Sequence, residues 1–139
     1  MQVALIVPPS IFLLDERVFM NLGVLKVAAS LEEAGHVVEV LDLSGIENYE
    51  EAVRDYASGS GAEVYGITAT TPQMPAAFKI LKAIRRHSTR RVILGGPHAT
   101  LVHAAWKGEV KRGISGMATK ALGYLREHFD NIVTGAGEI

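Results

Sequence analysis

Five short runs of strand-forming residues alternate along this chain with segments whose apolar positions recur at helical spacing. That alternation restricts the possible folds more than any other feature. Val3 to Val7 is a continuous apolar run, as expected of a strand buried on both faces. Pro8 and Pro9 end it, because proline cannot donate to a ladder. Leu22, Leu25, Val27, Ala28, Leu31 and Ala34 then follow a helical period, with Asn21 as N-cap and Gly35 just past the end. His36 to Leu43 predicts a second strand. Tyr49 to Ala57 predicts a second helix, stopped by Ser58-Gly59-Ser60-Gly61. Glu63 to Thr70 is the third strand. A helix from about Pro72 to His87 buries Met74, Ala77, Phe78, Leu81 and Ile84. Its last turns carry Lys82, Arg85 and Arg86, where cations suit the macrodipole. Arg91 to Leu94 is the fourth strand, ended by Gly95-Gly96-Pro97. Leu101 to Trp106 has a helical pattern, and Gly108, Gly113 and Gly116 predict a break. A helix over Met117 to His128 and a short fifth strand over Ile132 to Thr134 close the pattern.

This pattern defines an α/β chain with a parallel sheet and helices on both faces, a three-layer Rossmann-like arrangement. Right-handed crossovers leave few topologies, and the five-stranded flavodoxin-like order 2-1-3-4-5 fits best. A length of 139 residues gives one domain over 1–139. The net charge of −1 provides no field for nucleic acid or an anionic membrane. The chain has no cysteine, which excludes a disulfide framework, a thiolate zinc site and an iron–sulfur cluster held by this chain. It has no apolar run of about 18 residues and no basic amino-terminal leader, so a cytoplasmic protein without a membrane span is expected.

In such a sheet the ligand crevice lies beyond the carboxyl ends of the strands, at the switch point between the first and third. The segments predicted there are rich in small and hydroxylated residues. They are Pro8-Pro9-Ser10, then Thr68-Ala69-Thr70-Thr71-Pro72-Gln73, then Gly95-Gly96-Pro97-His98-Ala99-Thr100, and finally Gly135-Ala136-Gly137-Glu138. Small side chains let a flat ligand approach the backbone, and hydroxyls and N–H groups can meet its polar edges. Turns use the same residues, so composition by itself leaves both readings open. The loop after the first strand is long for a connection that usually takes about 2–6 residues. It carries Ile11, Phe12, Leu13, Leu14, Val18 and Phe19, which need cover from a ligand, a partner or the loop itself.

Taken in order, these segments resemble the N-terminal cobalamin-binding domain of B12-dependent radical SAM enzymes. The matching pieces are Val7-Pro8-Pro9-Ser10, Leu14-Asp15-Glu16-Arg17, the first helix through Gly35-His36, Gly66 to Gln73, Val92 to Thr100 and Val133 to Glu138. The resemblance implies a sheet that carries the corrin over its carboxyl edge, with the nucleotide tail in the crevice. On that basis the cofactor contacts would come from Pro9, Ser10, Leu14, Asp15 and Glu16 after the first strand. Thr68, Ala69, Thr70, Thr71, Pro72 and Gln73 would flank the tail from one side, and Gly95, Gly96, Pro97, His98 and Ala99 from the other. Gly135, Gly137 and Glu138 would complete the rim. No catalytic residue and no protein metal ligand is implied.

Many cobalamin domains carry Asp-x-His-x-x-Gly after the first strand, and its histidine ligates cobalt. The loop here contains no histidine, so the resemblance implies a base-off, His-off cobalamin. The stretch from Leu101 to Asp130 departs from the family pattern. The [4Fe-4S] cluster and S-adenosylmethionine of such enzymes belong to a radical SAM domain, in cis or in trans, so this chain is expected to hold the cofactor and not to be an enzyme alone. The alternative is a non-catalytic interaction or regulatory module with the same fold and no cobalamin. A phospho-receiver would need acidic residues where Pro8-Pro9 and Thr68-Ala69-Thr70 stand. Gly135-Ala136-Gly137 is no dinucleotide fingerprint, and Gly113-Ile114-Ser115-Gly116 lacks the spacing of a nucleophile elbow. His98 and His103, five apart, are poorly spaced for a shared metal. Trp106 is expected at the edge of the core.

Overall fold

The computed structural model describes residues 1–9 and 22–135. Strands β1 (Gln2–Val7), β2 (Val37–Asp42), β3 (Val64–Thr68), β4 (Arg91–Gly95) and β5 (Asn131–Ile132) form one sheet in the order β2-β1-β3-β4-β5. Every pairing is parallel. The helices are α1 (Leu22–Glu33), α2 (Tyr49–Gly59), α3 (Met74–His87), α4 (Pro97–Arg112) and α5 (Met117–His128). The expected α/β fold and strand order are therefore present.

Alternation along the strands sorts the helices between two faces. Ala4, Ile6, Tyr65, Ile67, Val92 and Leu94 point to one side and share a core with Val53 of α2, Ile80 and Ile84 of α3, Ala99 of α4 and Leu125 of α5. Val3, Leu5 and Val7 point the other way and share a second core with Val24 and Ala28 of α1, against which Val27, Leu31 and Val38 also pack. Among the described helices four thus lie on one face of the sheet and one on the other. The connection from β4 to β5 contains both α4 and α5, and both pack on the crowded side.

Local chemistry accounts for the element boundaries. The α1 helix closes where expected, with Gly35 N–H donating to Glu32 O at 3.0 Å and His36 N–H to Leu31 O at 3.1 Å. Gly108 does not interrupt α4 as the sequence predicts. A helix-interior glycine costs about 1 kcal/mol, too little to stop a helix held by its neighbours. The break comes at Gly113, whose left-handed φ of 68° caps α4.

Glu109 explains how the chain restarts. The N-cap position of α5 is Gly116, which has no side chain to offer. The buried Glu109 carboxylate supplies the missing acceptor from α4. Its Oε1 accepts the Gly116 N–H at 2.8 Å, the Thr119 N–H at 2.9 Å and the Thr119 hydroxyl at 2.7 Å, and its Oε2 accepts the Ala118 N–H at 2.9 Å. The Thr119 hydroxyl, with the backbone donors, holds the carboxyl at about 2, below its ordinary 4.5. A carboxyl depressed in the folded state contributes stability above its unfolded value and loses it as the pH falls through the folded one. Glu109→Gln is expected to lower the melting temperature by roughly 5 °C at pH 7. Acid titration of the melting temperature checks the cause. The wild type should lose more stability than the variant as the pH falls from 4.5 toward 2, and parallel curves would contradict the capping role.

Candidate functional site: the carboxyl rim and the thinly covered face

The four predicted rim segments are joined into one hydrogen-bonded chain. Gln73 Nε2 donates to Pro8 O at 2.8 Å across the ends of β1 and β3. Its Oε1 accepts the Thr70 N–H at 2.9 Å and the Thr70 hydroxyl at 3.1 Å. Ala69 N–H donates to Gly95 O at 3.2 Å, and His98 N–H to Ala69 O at 3.0 Å. The Thr100 hydroxyl donates to Gly96 O at 3.1 Å and accepts the Gly135 N–H at 3.1 Å. Thr70 and Gln73 thus form a reciprocal cap on the 3-10 turn Thr71–Gln73 that leads into α3.

The two adjacent glycines of this rim have different duties. Gly96 has a φ of 96°, and a Cβ there would lie 2.6 Å from Thr68 Oγ1 and 2.8 Å from Ala69 N. Its missing side chain is used by the protein's own backbone, where the segments after β3 and β4 press together. A Cβ on Gly95 would meet nothing nearer than Val133 O at 3.8 Å. Its missing side chain leaves open space.

The remaining predicted residues divide by exposure. Pro9 is buried. Ala69 and Ala99 lie in the core beneath the rim, so only their backbones line it. Thr70, Thr71, Pro72, Pro97 and Gly135 are exposed, while Thr68, Gln73, Gly95, Gly96 and His98 are half-buried. The expectations for Ser10, Leu14, Asp15, Glu16, Gly137 and Glu138, and for the apolar loop after β1, lie outside the described residues. His98, in the first turn of α4, places Nδ1 3.0 Å from Thr71 Oγ1, and burial alone pushes its imidazole below the ordinary 6.5.

Gln73 spans the strand ends at the switch point, and beside it the α1-side surface of β3 and β4 is partly exposed. Leu5, Gly66, Ile93 and Asn131 stand in one register row, and Thr68 pairs with Gly95 in the next. All of these face the α1 side. Leu5 is covered, but none of Val64, Gly66, Thr68, Ile93 and Gly95 is buried. The result is a strip of sheet floor with a hydroxyl at its mouth, Gly95 in its surface and α1 along one wall. The glycine inside β3 marks a close approach by the protein itself: a Cβ on Gly66 would lie 2.9 Å from Leu5 Cδ2.

Other features lie elsewhere. Trp106 is half-buried, stacked on His103 at 5.5 Å with the Arg126 guanidinium 5.6 Å from its ring. His103 and Arg126 line a cavity of about 420 Å³ beside β5. None of its lining residues is among the predicted cofactor contacts. Among the described residues no group of three or more His, Asp or Glu side chains could hold a metal ion, and no helix is long and apolar enough to cross a membrane.

The family model for the B12 binding domain matches residues 16–135, and the chain belongs to that family. Among solved structures it is similar to the radical S-adenosylmethionine methyltransferase TsrM from Kitasatospora setae. The structure of that enzyme with cobalamin and a [4Fe-4S] cluster bound aligns with a TM-score of 0.63 and 21% identity, covering 77% of this chain and 22% of the other. The structure with tryptophan substrate and a SAM analog (aza-SAM) bound aligns with a TM-score of 0.59 and 22% identity, covering 68% and 19%. The chain therefore spans about a fifth of the length of the methyltransferase chains it matches. Among curated proteins no sequence matches.

The two glycines make a paired test of the rim. Gly96→Ala forces a side chain into a positive-φ position against backbone and is expected to cost at least about 2 kcal/mol in chemical denaturation. Gly95→Ala should stay within about 0.5 kcal/mol of wild type. Equal costs at the two positions would contradict the division of roles.

Proposed function

We propose that this domain holds cobalamin, with the corrin over the carboxyl rim and the nucleotide base laid against the strip formed by β3 and β4 beside α1. The observation that supports this most directly is the strip itself. It is a stretch of sheet floor where Gly95 carries no side chain and no described helix lies on top, while Leu5 fills the place a Gly66 side chain would take. A planar aromatic base is the kind of ligand that such a floor accommodates. Thr68 would offer a hydroxyl at the mouth of the strip, Val24 and Ala28 of α1 an apolar wall, and Ile93 an apolar floor.

In this reading the cofactor is base-off, because its base occupies the strip, and His-off, because the loop after β1 carries no histidine. The cofactor supplies the cobalt–carbon chemistry, and this chain's residues supply position and access. The domain is the cofactor-holding part of a radical SAM methyltransferase-type enzyme. The [4Fe-4S] cluster and S-adenosylmethionine belong to a radical SAM domain, in cis or in trans. The absence of cysteine suits a reducing cytoplasm.

The test is co-elution of a corrin absorbance band with the purified chain after mixing with hydroxocobalamin. A coloured protein is expected. A colourless one would favour the interaction module that shares this fold. Electron paramagnetic resonance of the Co(II) form should lack the splitting caused by an axial nitrogen, and its presence would contradict the base-off, His-off assignment. Gly95→Val places a branched side chain on the strip. It should abolish co-elution while the melting temperature stays within about 3 °C of wild type; full retention of the corrin would remove the strip as the site.

A further inference from the structure

We infer that His98 is a hydrogen-bond donor to an acceptor oxygen of the bound cofactor, and that Thr71 is the positioning residue that fixes the tautomer it needs. The inference rests on the cobalamin reading above and adds to it a polar anchor on the opposite side of the rim from the strip.

The geometry is over-determined at the backbone. His98 N–H is held by Ala69 O at 3.0 Å, and its Cα is set by the first turn of α4, which starts at Pro97 against the tight Gly96 contact. Nδ1 then lies 3.0 Å from Thr71 Oγ1. That hydroxyl makes no other hydrogen bond among the described residues, and the 3.0 Å contact admits either direction. In the inferred state the hydroxyl donates to Nδ1, and a neutral imidazole that accepts at Nδ1 carries its proton on Nε2. Thr71 and Ala69, which hydrogen-bond to His98 from the 3-10 turn and from the end of β3, do not titrate. No charged group contributes to its shift; burial alone depresses it, so the ring is neutral at pH 7 and the Thr71 bond persists.

An Nε2 that bears a proton donates and does not coordinate a metal. His98 would therefore grip the cofactor by its periphery and leave the cobalt without a protein nitrogen. Two parts of cobalamin offer acceptor oxygens, the phosphodiester of the nucleotide arm and the amide carbonyls around the corrin. Cobinamide keeps the carbonyls and lacks the nucleotide arm, so it separates them.

The experiment measures dissociation constants for hydroxocobalamin and cobinamide with the wild type, His98→Ala, His98→Gln and Thr71→Val. His98→Ala should weaken cobalamin about 10-fold, and Thr71→Val about 3-fold. His98→Gln, whose amide nitrogen can stand near the place of Nε2, should stay within about 3-fold of wild type. A loss seen with cobalamin alone assigns the phosphate. Wild-type affinity should then rise from about pH 7.5 to about pH 5.5, because an anion favours the protonated ring, while His98→Gln stays flat. A loss seen equally with both corrins assigns an amide carbonyl. Nitrogen-15 chemical shifts of the free protein should show an unprotonated Nδ1, and Thr71→Val should disturb that state.

Folded His98→Ala that binds both corrins within twofold of wild type overturns the inference and leaves the cobalamin reading intact. So does a proton found on Nδ1, or a Co(II) nitrogen splitting that disappears in His98→Ala. A wild type that binds neither corrin overturns the reading and the inference together.

Discussion

A parallel sheet has apolar residues on both faces, and both must be kept from water. In this protein the two faces are served unequally, and the rest of the account follows from that inequality. The handedness of the crossovers sends α2, α3, α4 and α5 to one side and α1, alone among the described helices, to the other. The side with four helices makes the main core. The side with one helix keeps β1 dry and leaves part of β3 and β4 partly open. A second helix pair in the β4–β5 connection, capped internally by Glu109, adds to the crowded side and does nothing for the other. The asymmetry therefore concerns which surface is available to a ligand, and the stability of the domain is provided elsewhere.

The rim above the strip is ordered before any ligand arrives. Hydrogen bonds run from Pro8 through Gln73 and Thr70, and from Ala69 through Gly95, Gly96 and Thr100 to Gly135. Polar groups used in this way are not free to bind. Gln73 and Thr70 fix the distance between strand ends, and Thr100 fixes the exit of β5. The Thr68 hydroxyl and the Nε2 atom of His98 take no part in this stitching, and a Cβ on Gly95 would stand clear of it. A preformed rim reduces the ordering cost of capturing a large cofactor.

Much of the fold was legible in the sequence because its signals are local. Strand runs, helical periods, the Gly35 terminus, the Gly113 break and the Met117 start all depend on neighbours within a few residues. Gly108 misled because propensity yields to tertiary support. Phe78 was expected in the buried stripe and is half-buried, packed against the core with its ring edge-on to Tyr124 and His128. The Glu109 cap was not legible, because nothing in the spacing says which carboxylate will meet a distant helix start. The site was legible as a set of segments and not as a geometry. Gly95-Gly96 reads as a pair, yet one glycine serves the backbone and the other the opening, a distinction that needs the strand ends in space. The bridge from Gln73 to Pro8 spans 65 positions, so no local pattern announces it.

The central claim is that the cofactor's base lies on the α1 side of β3 and β4. Methyl-resolved NMR of the chain, recorded before and after addition of hydroxocobalamin in the diamagnetic Co(III) state, tests it most directly. The stacked base should shift the methyl signals of Ile93, Val64 and Val24 through its ring current, while Ile80 and Ile84 on the far side of the sheet stay in place. Shifts confined to Ile80 and Ile84, or bound corrin with Ile93 unmoved, would contradict the account.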